Sequence, residues 1–358
     1  MDPHTHPEPT ARLPPEICDA VIDCIYDDKE ALCSSSLVCR SWVPRCRVLL
    51  FPSSSLFKLK PEDINDFRLL LENPRCTLLP FVQRICLSTS EGPRGQVELY
   101  LHNLRKIVNI VEEQKSIIKD MMISGFPSPG YLLQHPALLY SLARCITSLS
   151  ISYYTTELNG AEILSLLNHF SDTLESLQLH LDTPPIFHRQ LLHFRAPSRK
   201  KLHMVRLRHL EVAVLWNKVL PWFIFPGLVE FPALKKLELS MHSWLLGEHY
   251  LAQQFLDALC AKTVEDLVFP FMYQSIPAID LSNFTVLCSV KFSGRAAQNS
   301  SEFEKLVTIV STVPACDSGR KLKVFVPDHK FKLPRSAEKL KDCVKWFENE
   351  WDWEHREQ

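Results

Sequence analysis

Cysteine and histidine are the side chains here best suited to chemistry, 12 of the one and 14 of the other. Their spacing argues against a local site. Cys18, Cys24, Cys33, Cys39 and Cys46 follow one another at intervals of six, nine, six and seven, which matches no tetrahedral zinc pattern, and no CxxC pair occurs. His188 and His193 stand five apart, wrong for two ligands on one helical turn, and neither an HExxH pair nor a GxSxG elbow is found. Nine glycines leave little material for phosphate-cradling loops, and there is no Walker-type loop and no GxGxxG run. A hydrolase would need a Cys or Ser and a His brought together by folding, and nothing in the spacing points to one. The sequence therefore predicts a protein that is not an enzyme and uses no cofactor and no metal.

Two segments could instead do recognition. Residues 189–208 carry Arg189, Arg195, Arg199, Lys200, Lys201, Arg206 and Arg208 without an acidic residue, a run able to meet an acidic or phosphorylated partner or simply to form a solvated loop. Residues 220–231 hold Trp222, Phe223, Phe225 and Phe231 among prolines, either an exposed aromatic anchor or packing inside a connector. Arg199, Lys200, Lys201, Trp222 and Phe223 are the candidate target-binding residues.

The elements that position such residues must come from a substantial core, since 46% of the 358 residues are apolar. Forty basic against 41 acidic residues, net −1, remove the electrostatic argument for a dedicated nucleic-acid or membrane-surface protein. The first twelve residues, with three prolines and no apolar run, hold no secretory h-region. The most apolar stretch, 219–229, is interrupted by Pro221, Pro226 and Gly227 and is far shorter than a bilayer span of about 20 residues. Scattered cysteines read as free thiols, so an intracellular protein, cytoplasmic or nuclear, is expected.

Residues 13–26 open with prolines suited to a first helical turn and with Glu16 favourable to the N-terminal dipole. Ile17, Val21 and Ile25 then recur at helical spacing, with Cys18 and Ile22 widening the stripe and Asp19 and Asp23 on the wet side. Asp27 and Glu30 have capping-box spacing before Ala31, Leu32 and Cys33 and predict a second short helix. Residues 37–51 predict a third, restarted at Pro44. Three short helices in about 40 residues bury their own apolar faces poorly, so a partner is expected.

Leu13-Pro14-x-Glu16-Ile17, a spacer, Leu37-Val38-Cys39-Arg40-x-Trp42 and a closing Leu50-Phe51 together resemble an F-box, in the form common in large fungal F-box families. The likeness covers about 40 residues. It implies a three-helix unit that binds the Skp adaptor and through it a cullin, with Leu13, Pro14, Ile17, Leu32, Val38 and Trp42 as the adaptor-binding residues. Pro44 departs from the many F-boxes in which a helix continues past this point. The same residues also suit an internal three-helix core.

Behind this unit one pattern recurs: apolar, two residues, apolar, one residue, apolar. The copies are Val82-Ile85-Leu87, Ile118-Met121-Ile123, Ile146-Leu149-Ile151, Leu174-Leu177-Leu179, Leu207-Leu210-Val212, Leu234-Leu237-Leu239, Val264-Leu267-Phe269 and Leu287-Val290-Phe292. Their first residues are 36, 28, 28, 33, 27, 30 and 23 apart, around the period of a leucine-rich repeat, in which each unit gives one strand and one returning helix. A weaker ninth copy uses Leu322, Val324 and Val326. Residues 162–170 and 253–259 look helical, so strand and helix alternate and the strands stack into a parallel sheet. The repeats lack the asparagine that many such units place after the strand. In residues 336–354, Leu340, Val344, Phe347 and Trp351 share one helical face, which predicts a helix that caps the last repeat or offers aromatic residues to a partner.

The expected fold is thus α/β: a tail at 1–12, an F-box-like three-helix domain at 13–52, an irregular leucine-rich-repeat solenoid, or horseshoe, with a parallel sheet at 56–334, and a capping helix at 335–358. The expected function is a ligase adaptor that binds the Skp adaptor through the F-box and a target protein through the array. The alternative is a non-catalytic repeat scaffold without a ligase role.

Overall fold

Each copy of the apolar pattern adopts the same local structure. In the computed structural model, which describes residues 14–52, 55–88, 94–125, 129–153, 160–181, 202–214, 229–240, 249–259, 262–271, 279–294, 300–314, 321–326, 340 and 343–347, the second and third apolar residues lie in a strand. The first stands just before it. All 24 of these side chains are fully or almost fully buried, because alternate residues of a strand share a face.

The eight repeat strands are β2 (Arg84–Ser88), β3 (Asp120–Ser124), β4 (Ser148–Tyr153), β5 (Ser176–Leu181), β7 (His209–Val214), β9 (Lys236–Ser240), β10 (Asp266–Phe271) and β11 (Ser289–Gly294). With β1 (Phe57–Leu59), β12 (Leu322–Phe325) and β13 (Val344–Phe347) they form one open, 11-stranded parallel sheet whose spatial order follows the chain. The pairing aligns equivalent positions: Ile85, Met121, Leu149, Leu177, Leu210, Leu237, Leu267, Val290 and Val324 form one continuous row across nine strands.

A backbone ladder fixes that register. In the first seven copies the carbonyl one residue after the first apolar position accepts hydrogen bonds from two consecutive N–H groups of the next strand's entry, and in the eighth the Cys288 carbonyl accepts from Lys323. Gln83 O receives Lys119 and Asp120, Thr147 O receives Glu175 and Ser176, and Glu175 O receives Arg208 and His209. Arg208 O, Lys235 O and Glu265 O repeat the arrangement. Each repeat is thereby locked to its neighbour before the strand begins, and a one-residue slip would expose the whole apolar row.

The connections vary more than the strands. Helix α4 (Ile64–Glu72) lies between β1 and β2, and α5 (Arg94–Glu113), α6 (Pro129–Leu133), α7 (Pro136–Cys145) and α8 (Gly160–His169) link β2 through β5. Helix α9 (His249–Leu259) precedes β10, and α10 (Ser300–Ser311) precedes β12. In the middle of the sheet, residues 182–201, 215–228 and 241–248 of the connections lie outside the described residues. There the described connecting residues include two short strands, β6 (Leu202–His203) and β8 (Val229–Glu230), paired with each other. Leu202, Met204, Val229 and Phe231 are buried and belong to the main apolar core.

The expected capping helix is also corrected. Val344 to Phe347 is a parallel strand paired with β12, entered through a turn in which Cys343 and Val344 donate to the Leu340 carbonyl. Val344 and Trp346, two apart, fit the alternation of a strand as well as a helical stripe, and the open edge of β12 selected the strand. The rest of residues 335–358 lie outside the described residues, as does the predicted tail at 1–12. No helix among the described residues is long and apolar enough to cross a membrane.

The N-terminal unit consists of α1 (Pro15–Asp23), α2 (Lys29–Ser35) and α3 (Val43–Leu50). Pro15 and Pro44 occupy first-turn positions, where a missing N–H costs no helical bond. The cap of α2 is Asp28 rather than Asp27: its carboxylate accepts the Ala31 N–H at 2.9 Å. The unit has its own small core of Ile22, Leu32 and Cys46, flanked by Ile25, Trp42, Leu49 and Leu50. It meets the sheet through Phe51, which stacks on Phe57 at 5.8 Å and approaches Phe81 at 6.3 Å.

Candidate functional site

The helical stripe expected on α1 divides in two. Cys18 and Ile22 face inward, whereas Ile17 is 50% exposed and Val21 equally so. Each outer residue precedes an inner one and therefore lies about 100° away around the helix. After α2 the chain presents Leu37 at 87% exposure and Val38 at 65%. A small unit that leaves these four aliphatic side chains, and Val48 on α3, in water while burying only three hydrophobic residues completely has an apolar surface in need of a partner.

The candidate adaptor residues accordingly fall into separate groups. Pro14, Ile17 and Val38 are exposed. Trp42 is half-buried against the unit's core. Leu32 is fully buried, so its side chain supports the unit from within and offers no surface to an adaptor. Leu13 lies outside the described residues, as do Arg199, Lys200, Lys201, Trp222 and Phe223.

An ion pair braces this surface from behind. Arg45 of α3 donates from Nε and Nη2 to the two carboxylate oxygens of Asp23 on α1, each at 2.6 Å. Asp23 is thus not simply solvated, and the guanidinium holds its carboxyl below the usual carboxylate range. On the outer turn the Cys39 thiol lies 3.0 Å from the Ser41 hydroxyl, and that hydrogen bond moves its pKa down. Burial pushes the Cys46 thiol up.

A second cluster lies on the sheet face opposite the apolar rows. His209 and Glu211 are two apart on β7 and share that face. Glu238 on β9 is paired with Glu211, and His180 on β5 reaches within 3.7 Å of Glu211. Ligand-capable atoms of His209, Glu211 and Glu238 all lie within 4.8 Å of one another. His209 and, against the opposing effect of burial, Lys236 hold the Glu238 carboxyl below its ordinary range. The sequence reading missed this cluster because it followed the apolar positions and ignored the residues between them. The aligned pairs His209-x-Glu211 and Lys236-x-Glu238, in successive copies, were the available signal.

Ser176 Oγ lies 3.3 Å from His209 Nδ1, and His209 Nε2 lies 3.9 Å from Glu238 Oε2. These are the residue types of a hydrolytic triad without its geometry. The second distance exceeds hydrogen-bond reach, and the Ser176 N–H, a natural oxyanion donor, is bonded to the Thr147 carbonyl. Comparison with protein-family models and with curated proteins gives no match for this chain.

Proposed function

We propose that the chain is a non-catalytic substrate-recognition adaptor of a Skp-cullin-F-box ubiquitin ligase. The exposed aliphatic surface of the N-terminal unit carries the reading: Ile17 and Val21 on α1 and Leu37 and Val38 on the turn after α2 stand in water, in a three-helix unit whose residues resemble an F-box. Pro14, Ile17 and Val38 would contact the Skp adaptor, with Leu32 and Trp42 setting the shape beneath them. The sheet, read as an irregular leucine-rich-repeat solenoid, would hold a target protein on its open face, in the cytoplasm or nucleus. Support for the repeat reading comes from the in-register order of its strands and the recurring carbonyl ladder. Ubiquitin transfer would then be accelerated by proximity alone.

Co-purification of the full chain with the Skp adaptor tests this. Wild-type protein should retain the adaptor and a cullin, while Ile17→Asp and Val38→Asp should lose both with unchanged circular dichroism. Folded wild-type protein that retains neither would overturn the reading and favour a scaffold without a ligase role.

A further inference from the structure

We propose that the open sheet face carries a divalent transition-metal site built from His209, Glu211 and Glu238, with His180 within reach as a fourth ligand. The four residues come from three adjacent strands, β5, β7 and β9, whose relative positions are fixed by backbone pairing. Glu211 and Glu238 are direct partners in the ladder, so two carboxylates stand at about one strand spacing. Glu211 is only 16% exposed and Glu238 30%. Like charges held side by side and half out of water repel, and a cation between them relieves that repulsion.

His209 supplies an independent observation. Its Nε2 is buried and makes no hydrogen bond, although it faces the carboxylate of Glu238. Its other ring nitrogen is engaged by the Ser176 hydroxyl. One nitrogen anchored by a neighbour and the other presented bare to a carboxylate pair is the arrangement of a metal-ligating histidine. Imidazole with carboxylate selects zinc, cobalt, nickel or copper over the all-oxygen preferences of calcium and magnesium. Donor atoms around an ion with bonds of about 2.1 Å stand roughly 3 to 4 Å apart, so small side-chain rotations close the cluster. Lys236 Nζ, 3.5 Å from Glu238 Oε2, is the competing cation.

Titration of the full chain with cobalt(II), followed by visible absorption and by melting temperature, tests the site. A saturable d–d band without a thiolate charge-transfer band and a raised melting temperature are expected. Glu211→Gln and His209→Gln should each weaken binding at least about tenfold. Lys236→Met, which removes the competitor and leaves every ligand in place, should tighten it. Absence of saturable binding, a thiolate band, or Glu211→Gln and Lys236→Met variants that bind like wild type would each overturn the proposal.

Discussion

Leu32 and Val38 lie six residues apart and have opposite surroundings. Leu32 fills the core between Ile22 and Cys46, and Val38 stands in water. Truncating Leu32 to Ala should therefore destabilise the N-terminal unit by about 2 to 5 kcal/mol, the range for a buried leucine. Val38→Ala should change stability by less than about 0.5 kcal/mol, and chemical denaturation of the two variants checks the contrast. Asp23 gives a pH test. Its folded pKa is depressed, so its pairing with Arg45 contributes stability above the unfolded value near 3.8 and loses it as pH falls through the folded one. Wild-type and Asp23→Asn proteins should differ in melting temperature at pH 6 and converge as the pH drops below that value.

Among the elements, α5 ends on a feature that glycine would serve better. Lys115 has φ of 56°, in the left-handed region, where it donates to the Glu112 carbonyl as Ser116 donates to that of Val111. A residue with a Cβ is disfavoured there by about 1 kcal/mol. Lys115→Gly should thus stabilise the chain by up to about that amount, read as a higher denaturation midpoint.

The element scale also shows what the sequence could reveal. Apolar triplets from Val82 to Phe292 determined the strands, because a strand buried on one face needs its alternate residues apolar whatever its neighbours are. Residues 344–347 were misread because four residues carry too little periodicity to decide, and pairing with β12 is a contact distant in sequence. Asp28 displaced Asp27 as a cap for a local reason: only its carboxylate reaches the Ala31 N–H once the helix begins at Lys29. The His209 cluster depends on register between copies, which the spacing of apolar residues specifies but composition does not.

For the whole molecule, the sequential sheet makes stability a matter of neighbours. Each strand pairs only with those beside it, so a defect in the middle weakens the adjoining repeats most. Leu177→Ala in β5 should cost about 2 to 5 kcal/mol and accelerate amide exchange chiefly in β4, β5 and β7, with β11 and β12 much less affected. Uniform loss of protection across all strands would instead indicate a single cooperative unit.

Hydrogen–deuterium exchange of the full chain with and without the Skp adaptor tests the central claim most directly. The account predicts that the adaptor slows exchange in α1, α2 and the turn through Trp42 and leaves β4 to β11 unchanged. Unaltered exchange across residues 14–42 at saturating adaptor, or protection confined to the sheet, would contradict it.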